Sequence, residues 1–169
     1  MTRHNGGMKN HVLTRRRNVL AGLALLAAAP AIRAQSILDA GALGVAGDTD
    51  ADQGPALQAA VDEAAAAGQM LQLPAGIIQV GGLELPSNLV IQGVPGRTEL
   101  TVLPGGNGIG VLDRGALVLR DIGFAGGERA LAIKASDDIA LDRCHFRNAG
   151  IGIDIADAGV TIRDCAFTE

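Results

Sequence analysis

Leu117-Val118-Leu119-Arg120-Asp121-Ile122-Gly123-Phe124, Ile139-Ala140-Leu141-Asp142-Arg143-Cys144-His145-Phe146 and Val160-Thr161-Ile162-Arg163-Asp164-Cys165-Ala166-Phe167 are three copies of one pattern. They are offset by 22 and 21 residues. A second pattern runs ahead of each copy: Ile109-Gly110-Val111, Leu131-Ala132-Ile133 and Ile153-Asp154-Ile155, spaced by 22 residues. A fixed period near 20 residues, written in short alternating strands, is the signature of a solenoid. The 3.6-residue spacing of a helical repeat is absent. The pattern therefore predicts a β-helix, in which each repeat is one coil and equivalent residues stack on parallel strands.

Alternation decides which side chains point inward, because successive side chains of a strand face opposite sides. Leu117, Leu119, Ile122 and Phe124 form one inward set. Ile139, Leu141, Cys144 and Phe146 lie over them, followed by Val160, Ile162, Cys165 and Phe167. All three Phe of the chain share one coil position, which predicts a ladder of rings about 4.8 Å apart. The same register stacks Arg120, Asp142 and Arg163 at one site and Asp121, Arg143 and Asp164 at the next, with the sign alternating from coil to coil. Opposite charges on neighbouring strands favour this register and like charges would oppose it. A surface charge ladder is the default reading of these residues, with a catalytic role as the alternative.

Charge divides the chain. Of its 14 Lys and Arg, six precede residue 35: Arg3, Lys9, Arg15, Arg16, Arg17 and Arg33. All 18 Asp and Glu follow it, so residues 35–169 carry 8 basic and 18 acidic residues, a net of −10. So acidic a surface argues against a nucleic-acid partner. There is no Trp or Tyr. With the three Phe assigned to the core, sugar stacking on aromatic platforms is disfavoured.

Residues 1–34 read as an export signal rather than as fold. Thr14-Arg15-Arg16-Arg17-Asn18-Val19-Leu20 is a basic n-region with a twin-arginine pattern, Arg16-Arg17 being the pair. Val19 to Ala29 is an apolar run of 11 residues, short of the ~20 that a membrane span needs. Small residues then offer cleavage after Ala34 or after Ala31. An uncleaved anchor is the alternative. This reading implies the twin-arginine export machinery and signal peptidase as partners, and a periplasmic or secreted protein without a stable membrane span.

Between the leader and the repeats, Asp52, Pro55, the run Ala56 to Ala67 and Gly68 predict a helix with Asp52 as N-cap and Gly68 as stop. Leu57, Ala60, Val61 and Ala64 share one face of it. The first coil of a solenoid has an open edge, so this helix is expected to be its lid. Short strands are predicted around Met70–Leu73, Ile77–Val80, Leu83–Leu85, Leu89–Ile91 and Leu100–Leu103. Asp48-x-Asp50-x-Asp52 opens like an EF-hand loop, but Gln53 stands where that loop needs Gly and Ala59 where it needs Glu. Turn formation and helix capping are the default for these acids, with a looser metal site as the alternative.

The same residues carry a family resemblance. Gly41-Ala42-Leu43-Gly44, Gly47-Asp48, Asp50, Asp52, Ala56, Gln58-Ala59-Ala60 and Leu73-Pro74-Ala75-Gly76 resemble the N-terminal opening of the pectate-lyase-like superfamily of right-handed parallel β-helices. Gly82-Leu83-Glu84-Leu85-Pro86-Ser87-Asn88 and Ile91-Gln92-Gly93 continue the match, which with the coils covers nearly all of residues 37–169. The whole chain, leader included, also resembles a bacterial group of twin-arginine-exported β-helix repeat proteins of unknown activity. The resemblance implies a polysaccharide lyase or glycoside hydrolase, acting from a groove outside one sheet, with calcium as the metal of the lyases. Hydrolases of this kind use a pair of acids. On the sheet of Ile109, Leu131 and Ile153 the outward residues are Gly110, Ala132 and Asp154, with Lys134 and Asp157 at the edge. Asp154, Lys134 and Asp157 are thus the catalytic candidates, but the single outward acid, Asp154, and Lys134 make no acid/base pair. No motif of the family's catalytic residues is present to carry over.

Cys144 and Cys165 occupy one coil position, which leaves a buried thiol stack or a disulfide open. His145, between inward Cys144 and Phe146, should point outward. The chain stops at Glu169 without a cap, which is the expectation for the N-terminal part of a longer solenoid. Two functions stay open: an exported relative of polysaccharide-cleaving enzymes with no catalytic set in this chain, or a non-catalytic scaffold that binds envelope glycans or protein.

Overall fold

The computed structural model describes residues 36–168; the proposed leader, with Arg16, Arg17, Ala31 and Ala34, lies outside them. The described residues begin with strand β1 (Ile37–Asp39) and a 3-10 turn (Gly41–Leu43), neither of which the sequence reading placed. Helix α1 (Gly54–Ala67) follows. The first coil is β2 (Met70–Gln72), β3 (Gly76–Val80) and β4 (Gly82–Glu84). The second is β5 (Leu89–Gln92), β6 (Thr98–Val102) and β7 (Gly108–Leu112). The third is β8 (Gly115–Arg120), β9 (Gly123–Gly126) and β10 (Arg129–Lys134). The fourth is β11 (Asp137–Asp142), β12 (His145–Arg147) and β13 (Ile151–Ala156), and β14 (Val160–Arg163) with β15 (Ala166–Thr168) begin another.

Every strand pairs with its counterpart one coil away, in parallel. Sheet A runs β1-β2-β5-β8-β11-β14, sheet B runs β3-β6-β9-β12-β15 and sheet C runs β4-β7-β10-β13. This is an all-β, right-handed parallel β-helix of about four coils, with one helix ahead of them. The repeat alignment gives the register: Leu117 pairs with Ile139, which pairs with Val160, and Ile109 pairs with Leu131, which pairs with Ile153.

The inward set is the core. Leu117, Leu119, Ile122, Phe124, Ile139, Leu141, Cys144 and Phe146 are all buried. The rings of Phe124 and Phe146 stack with centroids 5.0 Å apart, and those of Phe146 and Phe167 at 4.9 Å. In the last described coil Ile162 and Phe167 hold the same inward positions but stay exposed, because no described strand lies over them. Cys144 and Cys165 are free thiols; the Cys144 amide donates to Cys165 Sγ at 3.4 Å. Burial, above all, pushes the Cys144 thiol up to about 12.

The charge ladder is built at the corner between sheets A and B. Asp121, Arg143 and Asp164 each take a left-handed conformation, with φ of 55°, 52° and 49°, so the corner turns within one residue per coil. Arg143 grips the buried Asp121 carboxylate with two bonds of 2.8 and 2.9 Å. Its third nitrogen meets Asp142 at 2.8 Å, and Asp142 lies 3.7 Å from Arg120. The Arg143 hydrogen bond holds the Asp121 carboxyl below its ordinary value against the opposing effect of burial.

The region before the coils closes the N-terminal edge of all three sheets. β1 pairs with β2 at the edge of sheet A. At the edge of sheet B, the Asp48 amide donates to the Ile77 carbonyl while Asp48 Oδ1 accepts the Ile77 amide at 2.9 Å. Asp52 Oδ1 accepts from Gly54 and Gly81, and the Gln53 amide donates to the Gln79 carbonyl. At the edge of sheet C, Gln58 pairs its side-chain amide with both backbone groups of Glu84, at 2.9 Å each. Leu57, Ala60, Val61 and Ala64 of α1 sit in the core below. An open sheet edge has unpaired backbone groups, and here β1, two backbone amides and the side chains of Asp48, Asp52 and Gln58 satisfy them. One expectation needs correction: the N-cap is Gln53, not Asp52. Asp52 still accepts the Gly54 amide, but its second bond, to Gly81, places it as a brace between the helix and the first coil.

Candidate functional site

The outer face of sheet C holds the three residues singled out from the sequence. Glu84, Gly110, Ala132 and Asp154 lie in one row, each opposite the next. Leu112, Lys134 and Ala156 form the neighbouring row. The floor is low where glycine and alanine face out, and polar side chains rise around it. At the helix end a depression of about 320 Å³ is lined by Gln58, Gly82, Glu84, Asn107 and Gly110. A second, of about 90 Å³, continues it between Asn107, Glu128, Arg129 and Ala132. Asp154 follows one coil further on. The face is thus a shallow trough along the solenoid axis.

Asp154 and Lys134 come together, with Lys134 Nζ 3.8 Å from Asp154 Oδ2. The same oxygen faces Arg129 Nε at 3.3 Å. Arg129 and Lys134 belong to β10, one coil below, and flank the carboxylate from its two sides. Asp157 does not join them on the strand. It has φ of 51°, opposite no strand residue, at the turn that leaves sheet C. The sequence reading missed Arg129, because it lies five residues from Lys134 at the start of a strand whose position only the register reveals. It missed Gln58 and Asn107 as well, since they reach the trough from a helix and a turn.

With one oxygen facing both Arg129 and Lys134, the Asp154 carboxylate is engaged in ion pairs rather than free in the trough. Glu84 shares the row of Asp154 but stands three strand spacings away, about 14 Å at ~4.8 Å each. Paired glycosidase acids sit about 5–9.5 Å apart. Two of the three acids that the sequence offered for a metal, Asp48 and Asp52, are engaged by the backbone. Asp48 accepts the Ile77 amide, and Asp52 accepts the amides of Gly54 and Gly81. No helix among the described residues is long and apolar enough to cross a membrane.

No family model matches the chain. No curated protein matches it either. Among solved structures, it is similar to PfbA, a surface adhesin of Streptococcus pneumoniae, at 15% identity and a TM-score of 0.50, over 66% of this chain and 39% of that one. It is similar also to the A-module of the mannuronan C-5 epimerase AlgE4 of Azotobacter vinelandii, at 16% identity and a TM-score of 0.45, over 77% of this chain and 50% of that one. The chain spans well under two thirds of the adhesin's length. At such identities the adhesin likeness shows one thing, the parallel β-helix that the register of the strands displays in its own right.

Proposed function

We propose that this chain is an exported β-helix repeat protein that holds a polysaccharide along sheet C without cleaving it. One observation carries the reading: the trough combines a floor of Gly110 and Ala132 with side-chain amides and both signs of charge, while the Asp154 carboxylate at its far end is paired with Arg129 and Lys134. Amides and charges supply the hydrogen bonds that hydroxyl-rich ligands need, and a flat floor admits a chain of sugar rings. Export is argued from the leader, where Arg16-Arg17, the short apolar run and the Ala34 or Ala31 cleavage positions make the twin-arginine machinery and signal peptidase the partners. The fold shared with a surface adhesin supports a place outside the cytoplasm and a role in adhesion.

Binding of the chain to hexagalacturonate and to cellohexaose, with product analysis after long incubation, tests this. Retention of an intact oligosaccharide, lost in Ala132→Arg, is the expected result. Shortened or unsaturated products would instead favour the polysaccharide lyase or glycoside hydrolase reading. Replacing Arg16-Arg17 by Lys-Lys should strand the protein in the cytoplasm on cell fractionation; unchanged export would overturn the twin-arginine assignment.

A further inference from the structure

Sheet B carries a second depression, on a different side of the solenoid. Its strands place Glu99, Gly123 and His145 in one outward row, each opposite the next. Gly123 has no side chain, so the row dips between Glu99 and His145. The resulting hollow has a volume of about 460 Å³, within the range of small-ligand sites, with Ile77 as an apolar wall. Two carboxylates border it and both are already committed. Arg147 reaches across two strand spacings to grip Glu99 with bonds of 2.6 and 2.8 Å. Asp121 is held by Arg143 at the corner.

Arg97 is different. It lines the hollow, is exposed, and has no ion pair among the described residues. Its backbone is fixed on both sides. Val94-Pro95-Gly96-Arg97 is a tight turn with Pro at the second position, Gly96 at φ 66° and the Arg97 amide on the Val94 carbonyl at 2.9 Å. The Arg97 carbonyl in turn accepts the Gly76 amide at 2.7 Å. A fixed backbone therefore presents an uncommitted guanidinium over a cavity, in a region whose net charge is −10. His145 faces the same space from the far side.

We infer that this hollow binds a small anionic polyol, a sugar whose carboxylate or sulfate pairs with Arg97 while its hydroxyls meet His145 and the Glu99–Arg147 bridge. Guanidinium matches planar oxyanions with two parallel hydrogen bonds, and such charge-assisted bonds are the strong ones. The outward row runs Ile77, Glu99, Gly123, His145, so the ring would lie across the Glu99–Arg147 bridge between Ile77 and His145. The site is separate from the sheet C trough, and neither needs the other.

Calorimetric titration of the chain with galacturonate, a sulfated galactose and galactose tests it. The acidic sugars should bind about tenfold or more tightly than galactose, and Arg97→Gln should erase that preference. His145→Gln should weaken all acidic sugars without restoring galactose. Both residues are exposed, and a melting curve equal to the parent's confirms that the variants fold. Preference for the carboxylate or for the sulfate identifies the anion, and either supports the site. Equal binding of galactose, unchanged binding by Arg97→Gln, or loss of binding in Ala132→Arg on sheet C would overturn it.

Discussion

Removing the middle ring of the phenylalanine ladder should cost the fold heavily. Phe146 is 1% exposed and stacks on Phe124 at 5.0 Å and on Phe167 at 4.9 Å. Phe146→Ala deletes a buried ring and leaves a cavity in a column whose neighbours are held by backbone ladders, so they cannot close in. Core Phe→Ala changes cost about 3–5 kcal/mol, and two lost stacking contacts of roughly 0.5–1.5 kcal/mol each place this one at the upper end. Phe167 makes one stacking contact and is 56% exposed, so Phe167→Ala should cost only about 1–2 kcal/mol. Urea unfolding followed by far-ultraviolet circular dichroism measures both. At an m-value of about 2 kcal/mol per molar urea, Phe146→Ala should lower the midpoint by roughly 2 M. A loss below ~1 kcal/mol, or one no larger than that of Phe167→Ala, would refute the ladder and with it the register.

Three further outcomes follow from the corner, the thiols and the glycines. Asp121 has its carboxyl lowered by Arg143, so its stabilising contribution is complete above the unfolded value near ~3.9 and is lost as pH falls through the folded value. The stability gap between parent and Asp121→Asn should therefore be widest at neutral pH and shrink in acid; a gap constant with pH would contradict this. Cys144, its thiol pushed up to about 12, should stay unreactive toward a thiol-exchange reagent in the folded protein at mildly alkaline pH, while Cys165 reacts; rapid modification of both would show the burial to be wrong. A Cβ at Gly93 would collide with the Asp121 carbonyl and come within 2.8 Å of Thr98 Cβ, whereas one at Gly110 would meet only the Leu83 carbonyl, at 3.9 Å. Gly93→Ala should thus lose about 1–3 kcal/mol and Gly110→Ala almost nothing, which thermal melting would resolve.

The coils were legible because their sequence repeats. Leu117, Ile139 and Val160 name the same position three times, and the Phe and charge positions agree with them, so any other register would expose the core. Even the unrepeated stretch from Met70 to Val102 gave its strands to within a few residues, since each lies between turn-forming Gly, Pro or Asn. What alternation could not reveal was partnership across distance. The Asp52 side chain looks like a helix cap until its bond to Gly81 is seen, 29 residues on. Likewise Glu99 and Arg147 are 48 residues apart, and nothing local to either marks them as a bridge. His145 read as an isolated surface residue because Arg97 lies in a turn two coils earlier, where no repeat aligns it. Asp154 was placed correctly on the outer face of its sheet, but its character was set by Arg129 one coil below.

The most direct test of a polysaccharide lying along sheet C uses the absence of Trp and Tyr from the chain. Leu112 projects from the trough wall and is 60% exposed, so Leu112→Trp adds a single fluorophore beside the proposed ligand without touching the core. Titration of that variant with hexagalacturonate and cellohexaose should give a saturable change in emission with at least one of them, and the oligosaccharide should be recovered at full length. Emission that stays constant with both, from a protein that melts like the parent, would contradict binding at sheet C.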